Sequence, residues 1–124
     1  MSYIIEWVVP DRIISVVFPQ VLDTTVIQKF DDEFVAFLDQ APRPVCLFID
    51  VSSIQVLPRL TDILNLKLVR HRNLSQIASL GLADNPTTRF VVLMSVKALG
   101  LNLTDFATRE EALDFLYERA GVIS

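Results

Sequence analysis

Apolar residues come in short β-branched runs near the amino terminus and at helical spacings further along. Tyr3-Ile4-Ile5-Glu6-Trp7-Val8-Val9 and Arg12-Ile13-Ile14-Ser15-Val16-Val17-Phe18 flank Pro10-Asp11, a turn-forming pair, and predict an antiparallel hairpin. Val26, Ile27, Phe30, Phe34, Phe37 and Leu38 then mark one face of a helix. Gln28, Lys29, Asp31, Asp32, Glu33 and Asp39 fill the other, and the acidic run Asp31-Asp32-Glu33 reads as a solvated face. Thr25 with Gln28 offers a capping box, and Pro42 and Pro44 stop the helix near Ala41.

The run from Val45 to Val51 reads as a buried parallel strand, with Asp50, Ser52 and Ser53 at its carboxyl end. Leu60, Ile63, Leu64, Lys67, Leu68 and His71 predict a second helix that stops at Asn73, and Ser75 to Leu82 predicts another strand. Asn85 and Pro86 suit the cap and first position of a third helix. Thr88 to Leu99 carries Phe90-Val91-Val92-Leu93-Met94, a run of strong β propensity. Its place between two strands of an alternating order nonetheless predicts a helix, with Phe90, Leu93 and Met94 toward the sheet. Gly100 stops it, Leu101 to Phe106 supplies the last strand, and Thr108 with Glu111 caps a final helix striped by Ala112, Leu113, Leu116 and Tyr117 and ended by Gly121. The order β-β-α-β-α-β-α-β-α predicts an α/β fold over residues 1–124: a mixed, mostly parallel sheet with right-handed crossovers and about four helices.

With 124 residues, 52% of them hydrophobic, one domain can bury a core without disulfides. No apolar run approaches the roughly 18 residues of a membrane span. Glu6 and Trp7 interrupt the Met1 to Val9 segment before a signal-peptide pattern can form, so a cytoplasmic protein is expected. A net charge of −4 without a basic stripe argues against nucleic acid as a partner. Cys46, the one cysteine, lies inside an apolar run and reads as a buried thiol. His71, the one histidine, sits between Arg70 and Arg72, either as an anion or pH-sensitive contact or as part of a cationic helix end. These residues assemble no recognised nucleophile–base pair or metal-ligand spacing, so no catalytic, cofactor or metal residue is assigned and no enzyme is expected.

The element order, the strand ending Phe48-Ile49-Asp50-Val51-Ser52, the apolar Ile54 and Leu57 ahead of a helix, and the Thr108-x-x-Glu111 cap leading into Ala112-Leu113 together resemble the STAS superfamily. That superfamily comprises domains of sulfate transporters and anti-sigma-factor antagonists; the stand-alone bacterial STAS-like proteins are the most similar, with a fold also similar to CRAL-TRIO lipid-binding domains. The resemblance covers nearly the whole chain and implies that fold's strand order and a binding role. Antagonists of this type carry an Asp-Ser pair at the loop-to-helix junction, and a partner kinase phosphorylates the serine. Pro58 and Arg59 stand at those positions here, so the resemblance does not carry that switch over.

Two candidate surfaces follow. Asp50, Ser52, Ser53, Arg59 and Asp84 lie where open α/β sheets place ligand groups, although carboxylates there also serve turns and caps. Phe90, Val91, Val92, Val96 and Leu99 carry more apolar surface than one sheet contact requires, which marks a subunit interface or an apolar-ligand cleft. The leading expectation is a non-enzymatic interaction module of anti-sigma-factor-antagonist type in bacterial regulation, a homodimer docking a regulatory protein. The alternative is a carrier or sensor of a lipid or other apolar small molecule, and an enzyme acting around Asp50 and Arg59 ranks last.

Overall fold

The β-branched runs pair as a hairpin of β1 (Ile4–Val9) and β2 (Ile13–Val17), turning at Pro10-Asp11. Asp11 takes the left-handed backbone at φ 62°, a conformation that Asp tolerates better than most side chains. In this computed structural model, which describes residues 3–121, β3 (Val45–Asp50), β4 (Leu74–Leu80) and β5 (Leu103–Phe106) add in parallel, giving the sheet order β1-β2-β3-β4-β5. Residues 1–2 and 122–124 of the expected domain, Met1 of the leader reading among them, lie outside the described residues. Every crossover steps one strand in the same direction. Right-handed connections therefore place α1 (Thr24–Gln40), α2 (Leu60–Leu64) and α3 (Pro86–Leu99) on one face, and α4 (Arg109–Arg119) covers the other.

The two-residue period of the strands divides the core accordingly. Ile14, Val16, Val45, Leu47 and Ile77 point toward α1–α3, whereas Ile13, Cys46, Phe48 and Ala78 point toward α4. Cys46 is buried, as its apolar neighbours predict, and burial pushes its thiol pKa up. Ala112 of α4 and Ala78 of β4 are both fully buried, and such small side chains let α4 lie directly against β3 and β4. α1 instead carries aromatic bulk. Phe30 sits among Phe18, Tyr3 and Phe34 at centroid distances of 5.1, 5.5 and 5.6 Å, and Trp7 meets Phe37 edge-on at 5.7 Å.

Several expectations are corrected by local hydrogen bonding. Asp23, not Thr25, caps α1: its Oδ1 accepts the Val26 N–H at 3.0 Å. Asp31 is not part of a solvated face but only 4% exposed, and its two oxygens accept the backbone N–H groups of Lys67 and Leu68, each at 2.9 Å. Those amides would otherwise donate to carbonyls four residues back. Their capture accounts for the second helix ending after five residues, with a 3₁₀ turn at Leu68–Arg70 in place of a continuous helix to His71. Asn73 does not end that helix. Its Nδ2 donates to the Leu38 and Ala41 carbonyls at 2.9 and 3.3 Å and closes the carboxyl end of α1.

The 86–99 segment is helical, as its context predicts, with Asn85 capping the Thr88 N–H at 3.1 Å and Gly100 in the left-handed conformation at the other end. Its facing is the reverse of the expectation. Thr88 and Ser95 are buried and Val92 and Val96 half-buried, while Phe90, Leu93 and Met94 point to solvent. Asn85 ties the helix start to the loop after β3 in this rotation. Its Nδ2 donates to the Ile54 carbonyl at 3.0 Å, which anchors the first turn with Thr88 inward.

Candidate functional site

The carboxyl edge of the parallel strands is a tightly tied surface. The loops after β2 and β3 zip together: the Gln20 carbonyl accepts the Gln55 and Val56 N–H groups at 2.7 and 3.0 Å, and Leu22 N–H donates to Val56 at 2.8 Å. Asp50, at the end of β3, accepts the Ser52 N–H at 3.0 Å and the Ser52 hydroxyl at 2.6 Å through one oxygen. This is a turn-forming arrangement, and it leaves the other carboxylate oxygen outside the turn. Gly81, at φ 95°, leads out of β4 against it. A Cβ at position 81 would lie 2.7 Å from the Ser52 Cβ, so only glycine lets the two loops meet.

The remaining predicted edge residues have separate surroundings. Arg59 directly precedes α2 and pairs with Asp62 at 3.3 Å, with the guanidinium side largely in water. Ser53 and Asp84 are exposed, the latter in a 3₁₀ turn at Leu82–Asp84. Three carboxylates that sequence patterning did not mark as functional, one of them read as solvated, do more to build this region. Asp62 accepts the Thr24 hydroxyl at 2.8 Å, joining α2 to the start of α1, and the Thr24 and Arg59 contacts hold its pKa below the usual carboxylate value. Asp105 accepts the buried Ser79 hydroxyl at 2.8 Å and the Leu82 N–H at 3.3 Å across the β4–β5 register. The third, Asp31, ties α1 to the segment after α2. Apart from Arg59, three residues from Asp62, their partners lie 23 to 38 residues away in sequence, so local patterning does not announce these contacts.

At the opposite edge, Asp39, Arg70, His71, Arg72 and Asn73 line a polar recess of about 390 Å³. The Asn73 backbone N–H donates to His71 Nδ1 at 3.1 Å, which leaves the ring proton on Nε2, 2.7 Å from Asp39. His71 thus sits beside the end of α1. Arg70 is the residue that reaches the α2 terminus, with Nη1 3.5 Å from the Leu64 carbonyl.

A third feature lies inside. Between the sheet and helices α1, α2 and α3 is a cavity of about 120 Å³, lined by Val, Leu, Ile and Phe side chains with Thr88 and Ser95 as its hydroxyls. Val92 and Val96, predicted as interface residues, belong to this lining, Val91 and Leu99 are half-buried, and Phe90 stays exposed.

An antiparallel hairpin followed by β-α units in sequential strand order, with three helices on one face and one on the other, defines the STAS or SpoIIAA-like fold, and this chain has it. Among solved structures, it is similar to an uncharacterized DUF3478-family protein with a SpoIIAA-like fold from Shewanella loihica PV-4. The identity is 16% over 93% of this chain and 94% of that one, with a TM-score of 0.69. It is likewise similar to the phosphorylated form of the Bacillus cell fate determinant SpoIIAA, at 21% identity over 93% of this chain and 99% of that one, with a TM-score of 0.66. Likeness at these identities establishes the fold. No protein-family model matches the sequence, and no curated protein matches it. Among the described residues no helix is long and apolar enough to cross a membrane.

Proposed function

We propose that this chain is a non-enzymatic interaction module that acts by burying the outer face of α3, first against a second copy of itself and then against a regulatory protein. The observation that carries this reading is the exposure of three large apolar side chains at helical spacing: Phe90 at 65%, Leu93 at 43% and Met94 at 44%. Scattered apolar residues are ordinary on a surface, whereas an aligned stripe at i, i+3 and i+4 forms a seam. Each of these side chains contributes about 1.5–3 kcal/mol when fully buried. Exposed Arg89 and Lys97 border the stripe and set the orientation of docking. The fold shared with SpoIIAA supports a regulatory role in a bacterial cytoplasm. With Arg59 at the entrance to α2, the module works without a phosphoserine switch at that junction.

Light scattering on the purified full chain tests the reading. A dimer that becomes a monomer in Phe90→Glu and in Met94→Glu, with unchanged circular dichroism, is the expected result. A wild-type monomer at several hundred micromolar overturns the self-association.

A further inference from the structure

We propose that the cavity beneath α3 is a binding site for a small, wholly apolar molecule of benzene size or less. Protein interiors are close-packed, and a void lined by hydrocarbon forfeits the dispersion contacts that a neighbour would supply. An apolar cavity of about 150 Å³ stays dry and takes up benzene or xenon. The space here, about 120 Å³ and lined by apolar side chains, is of similar size but open on one side. Its origin lies in the sequence of α3. Thr88 and Ser95, small side chains, are turned inward where larger ones would reach further toward the strands. The gap that Phe30 and Phe34 fill beneath α1 is therefore left open beneath α3.

The lining also decides the class of ligand. Ser95 donates its hydroxyl to the Val91 carbonyl at 2.8 Å, within its own helix, so it offers that donor to no ligand. Among the lining residues none is ionisable, and a carboxylate headgroup would be buried there without a counter-charge. A long-chain lipid is excluded by volume as well, since drug-sized ligands occupy about 300 Å³ or more. Leu47 and Ile77 of the sheet are buried in the lining, whereas Ile63 of α2 and Val92 and Val96 of α3 line it half-buried. The five-residue α2 is the shortest helical cover on this face of the sheet. The site concerns the inner face of α3 and stands independently of docking on the outer face.

The test is a titration of benzene into the full chain with labelled methyl groups, followed by NMR. Saturable shifts at Val92, Val96, Ile77 and Leu103, one site per chain, are expected. Val92→Phe or Val96→Phe should fill the space and weaken binding roughly tenfold or more. The Ala78 and Ala112 methyls, on the opposite face, report whether each variant remains folded. Xenon, followed by its own NMR signal in the wild-type protein, gives a readout that needs no variant, and a saturable bound signal is expected. Absence of saturable shifts up to the solubility of benzene, or binding that survives in a folded filled variant and disappears in Phe90→Ser, overturns the proposal.

Discussion

Helices α1 and α3 cover the same face of the same sheet and place their large side chains oppositely. α1 drives Phe30, Phe34 and Leu38 into the core and leaves Gln28, Lys29 and Asp32 in water, so bulk and burial coincide. α3 turns Thr88 and Ser95 inward while Phe90, Leu93 and Met94 stand outside. The first arrangement maximises stability. The second leaves a void on one side and an apolar stripe on the other, both of which cost a protein something unless they are occupied. Helix content alone does not distinguish the two; the distribution of side-chain volume around each axis does.

The comparison is sharpened first by Phe34→Ala. Phe34 is fully buried and stacked on Phe30, and its loss should remove about 3–5 kcal/mol in urea unfolding. A loss below about 1 kcal/mol would mean that the α1 core is as loosely filled as the space beneath α3.

Asp31→Ala should follow at about 2–3 kcal/mol, because it strands two amides that the carboxylate holds on the far side of the core boundary. Asp31→Asn should recover part of this through its one remaining acceptor oxygen. Hydrogen exchange at Lys67 and Leu68 checks the mechanism, since faster exchange confined to these amides is the expected local signature.

Tyr3→Phe deletes the 2.6 Å hydrogen bond to Glu33 and should cost about 1 kcal/mol at neutral pH. Its larger signature is in alkali. Burial and the Glu33 carboxylate hold the Tyr3 pKa above the ordinary value of 10.0. Both states keep the proton below that value, so the contribution is fully present there; above it the unfolded chain loses the proton first, and stability falls as pH rises. The Tyr3→Phe variant should therefore show a flatter decline above about pH 10 in thermal unfolding. An identical alkaline limb in both proteins would remove Tyr3 from the account.

The smallest stability effects belong to the outer stripe of α3. Phe90→Ser and Leu93→Ser should each stay within about 0.5 kcal/mol of wild type at concentrations where the chain is monomeric. A loss above about 1 kcal/mol in either would show that the stripe packs against its own chain, and the contrast between the helices would fail.

Much of the architecture was legible because it rests on short-range signals. The Pro10-Asp11 turn, the apolar face of α1, the Asn85-Pro86 start and the Gly100 stop of α3, and the Thr108 cap each depend on residues within one turn of one another. Apart from the α1 cap, where Asp23 acts three residues from Val26, the features misread at Asp31 and α2 depend on partners far along the chain. Asp31 looked solvated because its acceptors meet amides 36 and 37 residues on, and the second helix looked continuous because nothing nearby reveals that those amides are taken. At the candidate edge, the type of residue at Asp50 was readable, but its engagement with Ser52 and the abutting Gly81 required the loops to be assembled.

By itself, then, the sequence determined which segments are strands and helices, where most of them stop, and that a parallel sheet with helical cover would result, because backbone propensity, capping and periodicity are local. Only the tertiary structure decided which face of α3 meets the sheet. Apolar side chains lie on more than one side of α3, so periodicity alone gives it no strong preferred rotation; in the folded chain the Asn85 amide on the Ile54 carbonyl accompanies the one observed.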